Sequence, residues 1–234
     1  MKKILVSIFI AFFSCANASS SIGNVELVKG NVKVKSEDSF KKSKLSVGLE
    51  IKKGDLITTS QKATAVIKLL DGSTLVLDES STLHFNASSV VEQQEGKVYY
   101  KITSRDAKNS ISVKTPFAII GIKGTTFIID AGEQNSVKLQ EGVVGIQSIK
   151  EEFELYRKVV QKQFDDFMAE QQAAFDEYKQ VQKPGFVEKT KEFDLQSRKT
   201  VSFDGKKATE NDWTKEDDAE FERFEKLMES ISNP

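Results

Sequence analysis

Few residues of this chain have both the type and the setting for covalent chemistry. The densest group sits in TPFAIIGIKGTTF, residues 115–127, where Thr115, Thr125 and Thr126 offer hydroxyls and Lys123 brings the only charge. A threonine hydroxyl becomes a useful nucleophile only with a base in reach. His84, in STLHF, is the sole histidine, and its alternating context makes it a strand residue facing solvent or a neighbour rather than a base. A single histidine also excludes a paired-histidine metal site. The only cysteine, Cys15, falls in the apolar N-terminal segment, so thiolate chemistry, disulfides and cysteine metal sites are not expected of the mature chain. Asp78 with Glu79, and Asp165 with Asp166, are adjacent in sequence, so neither pair shares a strand or helix face. GIKGTT lacks the spacing of a phosphate loop, and no helical pattern follows it. The residues therefore point to a protein that is not an enzyme and that uses neither metal nor cofactor.

The elements that must hold this run read as strands. From Ile22 to Ser148 the apolar residues alternate in short runs rich in Val, Ile and Thr, such as VKVKS and TLVL, broken by Gly, Asp, Asn and Ser. A repeat recurs within them: VELVKGNVKV, LEIKKGDLIT, IKLLDGSTLV, VEQQEGKVYY, IIGIKGTTFI and VKLQEGVVGI each place a charged residue just before a glycine. The glycines are Gly30, Gly54, Gly72, Gly96, Gly124 and Gly142. Glycine takes positive φ at little cost, so each is expected to make a tight turn between two strands. The fold class expected is mainly β, either a twisted solenoid-like module or a rolled antiparallel one, with a C-terminal α-helical extension. On this reading Gly124 and Thr125 are one more turn of the fold, and Pro116 enters where a strand begins.

The run TPFAIIGIKGTTF, with upstream GDLITTS and LLDGSTLVL and downstream LQEGVVGI, resembles the FecR domain of periplasmic regulators. The resemblance covers residues 22–148 and rests on Thr115, Pro116, Gly121, Lys123, Gly124, Thr125 and Phe127. It implies an all-β envelope module without an inherent small-molecule reaction. The transmembrane anti-sigma regulators of that family would carry a cytoplasmic domain and a membrane helix ahead of the module, whereas here the module directly follows an expected signal peptide. Some members that resemble this pattern break a Gly–Thr bond by an N-to-O acyl shift, and Gly124–Thr125 is the matching pair; Lys123 stands where the family usually has arginine.

Residues 1–18 pair two lysines with an apolar run from Ile4 to Phe13 and an Ala16-Asn17-Ala18 cleavage pattern, the signature of a secretory signal. Ten apolar residues are too few for a spanning helix, which needs about twenty. A periplasmic location is expected, with a lipoprotein acylated on Cys15 as the alternative. Residues 19–149 hold 17 basic and 14 acidic side chains, and residues 150–234 hold 15 and 21. Neither half has the concentrated positive field that nucleic acid binding requires.

Residues 150–234 are expected to be the helical extension, within which KTVSFDG, residues 199–205, reads as a short strand ending in an Asp–Gly turn. Phe153, Tyr156, Val160, Phe164, Phe167, Phe175 and Tyr178 fall on one helical stripe over residues 150–182. The stripe could cap the β module or pair with another copy or an envelope protein. A second helix is expected from Thr214, with Phe221, Phe224, Leu227 and Met228 on its apolar face and Trp213 just ahead of it. The function expected is an exported binding or scaffold protein, with autoprocessing at Gly124–Thr125 and peptidoglycan or carbohydrate binding as alternatives.

Overall fold

The computed structural model describes residues 21–87, 89–103, 111–122, 124–132, 134–157 and 187–232. In chain order the strands begin with β1 (Ser21–Lys29), β2 (Val32–Lys35), β3 (Ser43–Lys44), β4 (Glu50–Lys52), β5 (Leu56–Thr59), β6 (Thr64–Leu69), β7 (Thr74–Leu77) and β8 (Thr82–Ala87). They continue with β9 (Val90–Lys101), β10 (Ile111–Lys114), β11 (Ala118–Ile122), β12 (Thr126–Ala131), β13 (Ser136–Glu141) and β14 (Val143–Ser148). Last come β15 (Phe153–Tyr156), β16 (Glu188–Thr190), β17 (Glu192–Gln196), β18 (Lys199–Asp204), β19 (Lys207–Asp212) and the helix α1 (Lys215–Ser232).

The ladders form two open sheets that share β9. The first runs β4-β1-β6-β7-β9-β12-β13-β18-β19-β15-β16. The second runs β3-β2-β5-β8-β9-β10-β11-β14-β17. Every ladder is antiparallel except β9–β10 and β15–β19. Alternate side chains of both sheets meet in one core that includes Val34, Ile57, Leu75, Phe85, Ile120 and Phe127.

The repeat glycines mark where the chain leaves one sheet for the other. Gly30, Gly54, Gly124 and Gly142 each separate a strand of one sheet from a strand of the other, and Gly96 lies where β9 itself changes sheets. Only Gly72 of the six makes a hairpin within a sheet, between β6 and β7. The tight turns expected at these glycines thus join strands of different sheets at four positions, and at Gly96 the bend falls inside β9. A bend between two facing sheets needs a left-handed residue as much as a hairpin does. The non-glycine residues with positive φ, Lys62, Ser80 and Arg198, sit at further crossings of the same kind. At Gly96 (φ +81) an added Cβ would stand 2.5 Å from the Ser80 carbonyl oxygen, so one corner packs directly on another. The buried amide of Gln93 braces that bend, donating to Gly96 O at 2.8 Å and Ile129 O at 3.1 Å and accepting from Tyr100 Oη at 2.8 Å.

Helix α1 covers the outer face of the first sheet. Leu27, Val66, Val76, Tyr99, Ile128 and Lys138 form one cross-strand row, each opposite the next. The four central members are apolar and buried, which is why β6, β7, β9 and β12 carry unbroken apolar runs rather than strict alternation. Phe221 and Phe224 of α1 close over the row, with ring centroids 5.8 and 5.4 Å from Tyr99. Thr214 caps the helix reciprocally: its N–H donates to Asp217 Oδ2 at 2.8 Å, and its Oγ1 accepts from Asp217 N at 3.3 Å.

The C-terminal part departs most from expectation. Phe153 and Tyr156 lie in strand β15, not in a helix, and Phe153 and Leu155 enter the main core. Four residues reading FELY satisfy a period of two as well as a helical one, and contacts of Phe153 with Phe193 (5.6 Å) and Phe203 (5.5 Å) decide between them. Val160, Phe164, Phe167, Phe175 and Tyr178 lie outside the described residues. Residues 187–212, within the expected helical extension, form β16 to β19, of which β18 matches the strand expected at 199–205; β17 pairs with β14 and β18 with β13, so both sheets continue past Ser148. Helix α1 packs on the first sheet, over Val66, Val76, Tyr99 and Ile128.

Candidate functional site

Beyond the row covered by α1, the next outward row of the first sheet is Thr74, Lys101, Thr126 and Glu141, again each opposite the next. The helix stops short of covering it. The result is a groove of about 790 Å³, floored by these four residues, closed at one end by Gly124 and Thr125 and walled by Glu225, Met228 and Glu229 of α1. Gly72, Ile102 and Thr103 complete its lining.

The groove is braced by local hydrogen bonds. Ser73 Oγ donates to Asp71 Oδ2 at 2.7 Å and accepts from Thr103 N at 3.1 Å, while Thr103 Oγ1 donates to Asp71 O at 3.1 Å. Ile102 N donates to Thr125 O at 3.0 Å, tying the end of β9 to the corner ahead of β12. Gly142, at φ +94, packs on that corner so closely that an added Cβ would meet Thr125 Cγ2 at 2.5 Å. Ser197 Oγ fixes the Gly142 carbonyl at 2.7 Å.

Thr125 is 3% exposed, and among the described residues its Oγ1 has no hydrogen-bond partner. Gly124 holds φ +83, a conformation glycine adopts freely. Beneath the helix Tyr99 Oη is likewise unpartnered; burial, and behind it the negative charge of Glu225, push this phenol well above its usual range. Three carboxylates, Glu141, Glu225 and Glu229, and the ammonium group of Lys101 line the groove. Among the described residues no cluster of His, Cys, Asp and Glu is placed to hold a metal ion.

The remaining residues of the 115–127 run are used by the fold. Thr115 Oγ1 accepts from Ala118 N at 3.0 Å and donates to Ala118 O at 2.9 Å, closing the turn around Pro116 and Phe117. Phe127 stacks on Tyr100 at 4.8 Å in the core. Gly121 lies opposite Gly145 on the outer face of the second sheet. Strand β11 separates Thr115 and Pro116 from Gly124 and Thr125, so the run is not gathered into one site. Lys123 lies outside the described residues.

His84 sits half-exposed on β8, opposite Leu56 and Glu92. Asp78 binds Arg223 of α1 through two contacts of 3.2 and 2.5 Å, whereas Glu79 accepts from Lys62 N. Sequence reasoning missed the groove's floor and its helix wall. The charged residue that interrupts each apolar run was the available signal, as at Lys101 after VYY.

Residues 55–145 match the family model described as FecR protein. No match is found among curated proteins. Two crystal structures of "a putative anti-sigma factor from Parabacteroides distasonis ATCC 8503", at 1.65 and 2.50 Å resolution, are similar at 14% and 13% identity with TM-scores of 0.45 and 0.43. Each alignment covers 68% of this chain and 59% of the other. Among the described residues no helix is long and apolar enough to cross a membrane.

Proposed function

We propose that this chain, whose residues 55–145 match the FecR protein family model, is an exported, non-catalytic binding or scaffold protein of the cell envelope, whose groove beside Gly124 and Thr125 receives a segment of a partner protein. The observation that carries the reading is the junction itself: the groove joins a corner of the FecR domain to the C-terminal helix that follows it. Its floor and wall carry both signs of charge, which favours orientation and specificity in a protein contact. The partner is an envelope protein or a second copy that engages α1 along the groove. Periplasmic placement follows from residues 1–18 acting as a cleaved signal, with acylation of Cys15 as the variant.

Thr103→Arg and Glu229→Lys, which obstruct the groove and reverse charge on its wall, test the assignment. Both should keep the far-ultraviolet spectrum of the fold and lose the proteins that co-purify with wild type from envelope extracts, whereas Gln196→Lys on β17 should keep them. Unchanged co-purification in both groove variants rejects the groove as the contact. Mature protein beginning at Ser19 in the periplasmic fraction supports export; full-length chain in the cytoplasm opposes it.

A second reading is favoured by one observation, the unpartnered Oγ1 beside the Gly124–Thr125 bond. In autoprocessing that oxygen would add to the Gly124 carbonyl carbon and the C–N bond would break, its nitrogen taking a proton. Water would then split the ester to leave a carboxylate on Gly124. Among the described residues no base reaches the hydroxyl. Intact mass after prolonged standing separates the readings: two fragments broken at that bond, absent from Thr125→Ala, would establish autoprocessing.

A further inference from the structure

The β2–β3 hairpin, at the edge of the second sheet, carries a charge pattern that its stability does not require. Lys33 and Lys44 stand directly opposite one another, where like charges repel. Lys35, Lys41 and Lys42 belong to the same hairpin, against Glu37 and Asp38 only. Among the described residues none of these five lysines forms an ion pair. The tip between them is pinned. Ser39 Oγ donates to Lys41 O at 3.0 Å and accepts from Lys41 N at 3.2 Å, and Ser39 N donates to Ser36 O at 3.0 Å. This pinch turns Phe40 outward, with 102% exposure, beside Lys41 and Lys42.

A bare aromatic ring next in sequence to Lys41 and Lys42, on a hairpin that also carries Lys33, Lys35 and Lys44, matches the composition that seats at an anionic bilayer surface, with the ring at the headgroup–acyl boundary and the ammonium groups at the phosphates. A soluble polyanion would use the lysines and gain nothing from the ring. The opposite edge of the same sheet, β17, presents Glu192 and Asp194, so only the hairpin edge suits such a surface. We propose that the β2–β3 hairpin docks the protein on membranes rich in anionic phospholipid, with Phe40 entering the interface. This surface lies on the sheet that α1 does not cover, and it stands independently of the groove.

The test uses the full chain as recovered from cells, carrying Phe40→Trp and Trp213→Phe, so that the single tryptophan reports the tip. Added to vesicles containing about one-third phosphatidylglycerol, its emission should shift to the blue and be quenched by brominated acyl chains; phosphatidylcholine vesicles should produce neither. In the native background Phe40→Ser should weaken vesicle binding about ten-fold, and Lys41→Gln or Lys42→Gln about five-fold each. Circular dichroism confirms that each variant is folded. No shift, or an equal shift with both vesicle types, overturns the proposal. So does full vesicle binding by Phe40→Ser with loss in the lysine variants, which would assign the hairpin to polyanions in general.

Discussion

Replacing Phe221 by alanine asks whether α1 is part of the β body or an appendage to it. The ring is fully buried, edge-on to Tyr99 at 5.8 Å and 5.2 Å from Trp213. Removing a buried phenylalanine costs about 3–5 kcal/mol. Because α1 lies on an outer face and can settle toward the sheet, the lower end, about 3 kcal/mol, is expected here. Against a total stability of roughly 5–15 kcal/mol that is a large fraction. With a urea dependence of about 2 kcal/mol per molar, the midpoint should fall by about 1.5 M. Trp213 emission and far-ultraviolet circular dichroism should follow one coincident transition in wild type and variant. A loss below about 1 kcal/mol, or tryptophan emission changing well before the strand signal, would refute the reasoning. The helix would then be an independent unit.

Further outcomes follow from the same contacts. Gly142→Ala should destabilise by about 2 kcal/mol or more, through its positive φ and the clash with Thr125, whereas Gly205→Ala should cost about 1 kcal/mol or less, since nothing lies within 4 Å of the added carbon; thermal melts of the two separate these effects. Thr125→Val keeps the shape and removes a buried, unpartnered hydroxyl, so it should be neutral or stabilising by about 1 kcal/mol in urea titration; a clear loss would mean that the hydroxyl is engaged. Burial works to raise Asp217 and Glu220, yet hydrogen bonds from Lys138, with help from Thr214 and Lys97 respectively, outweigh it and hold both below the usual carboxylate range. Lowered carboxylates contribute stability that is complete above about pH 4.5 and lost as pH falls through their folded values. Lys138→Met should therefore cost about 2 kcal/mol at pH 7, and its deficit relative to wild type should narrow toward pH 3 in chemical denaturation.

How much of this was legible depended on whether local pattern and tertiary use agreed. They agreed for α1, where a capping threonine, an acidic first turn and Phe221, Phe224, Leu227 and Met228 all select one helix. The glycine of each repeat was legible as a left-handed bend, but hairpin and sheet-to-sheet crossing demand the same φ and differ only in which distant strand comes next. Phe153 and Tyr156 were misplaced because four residues fit two periods, and the deciding partners, Phe193 and Phe203, are far along the chain. Of residues 187–212, KTVSFDG was legible as a short strand before an Asp–Gly turn, whereas β16, β17 and β19 are short and charged and owe their place to the distant or neighbouring strands they pair with. Thr125 stood out by motif, but its burial and its neighbour Gly142 come from the stacking of two corners, and the groove beside it exists only because α1 crosses the first sheet one row away.

A photocrosslinking amino acid at Glu229, on the helix wall of the groove, tests the central claim most directly in living cells. The account predicts a discrete adduct with a partner chain, lost when Thr103→Arg is added and absent when the same probe replaces Gln196. Equal adducts at both positions, or an adduct at Glu229 that survives Thr103→Arg, would contradict it.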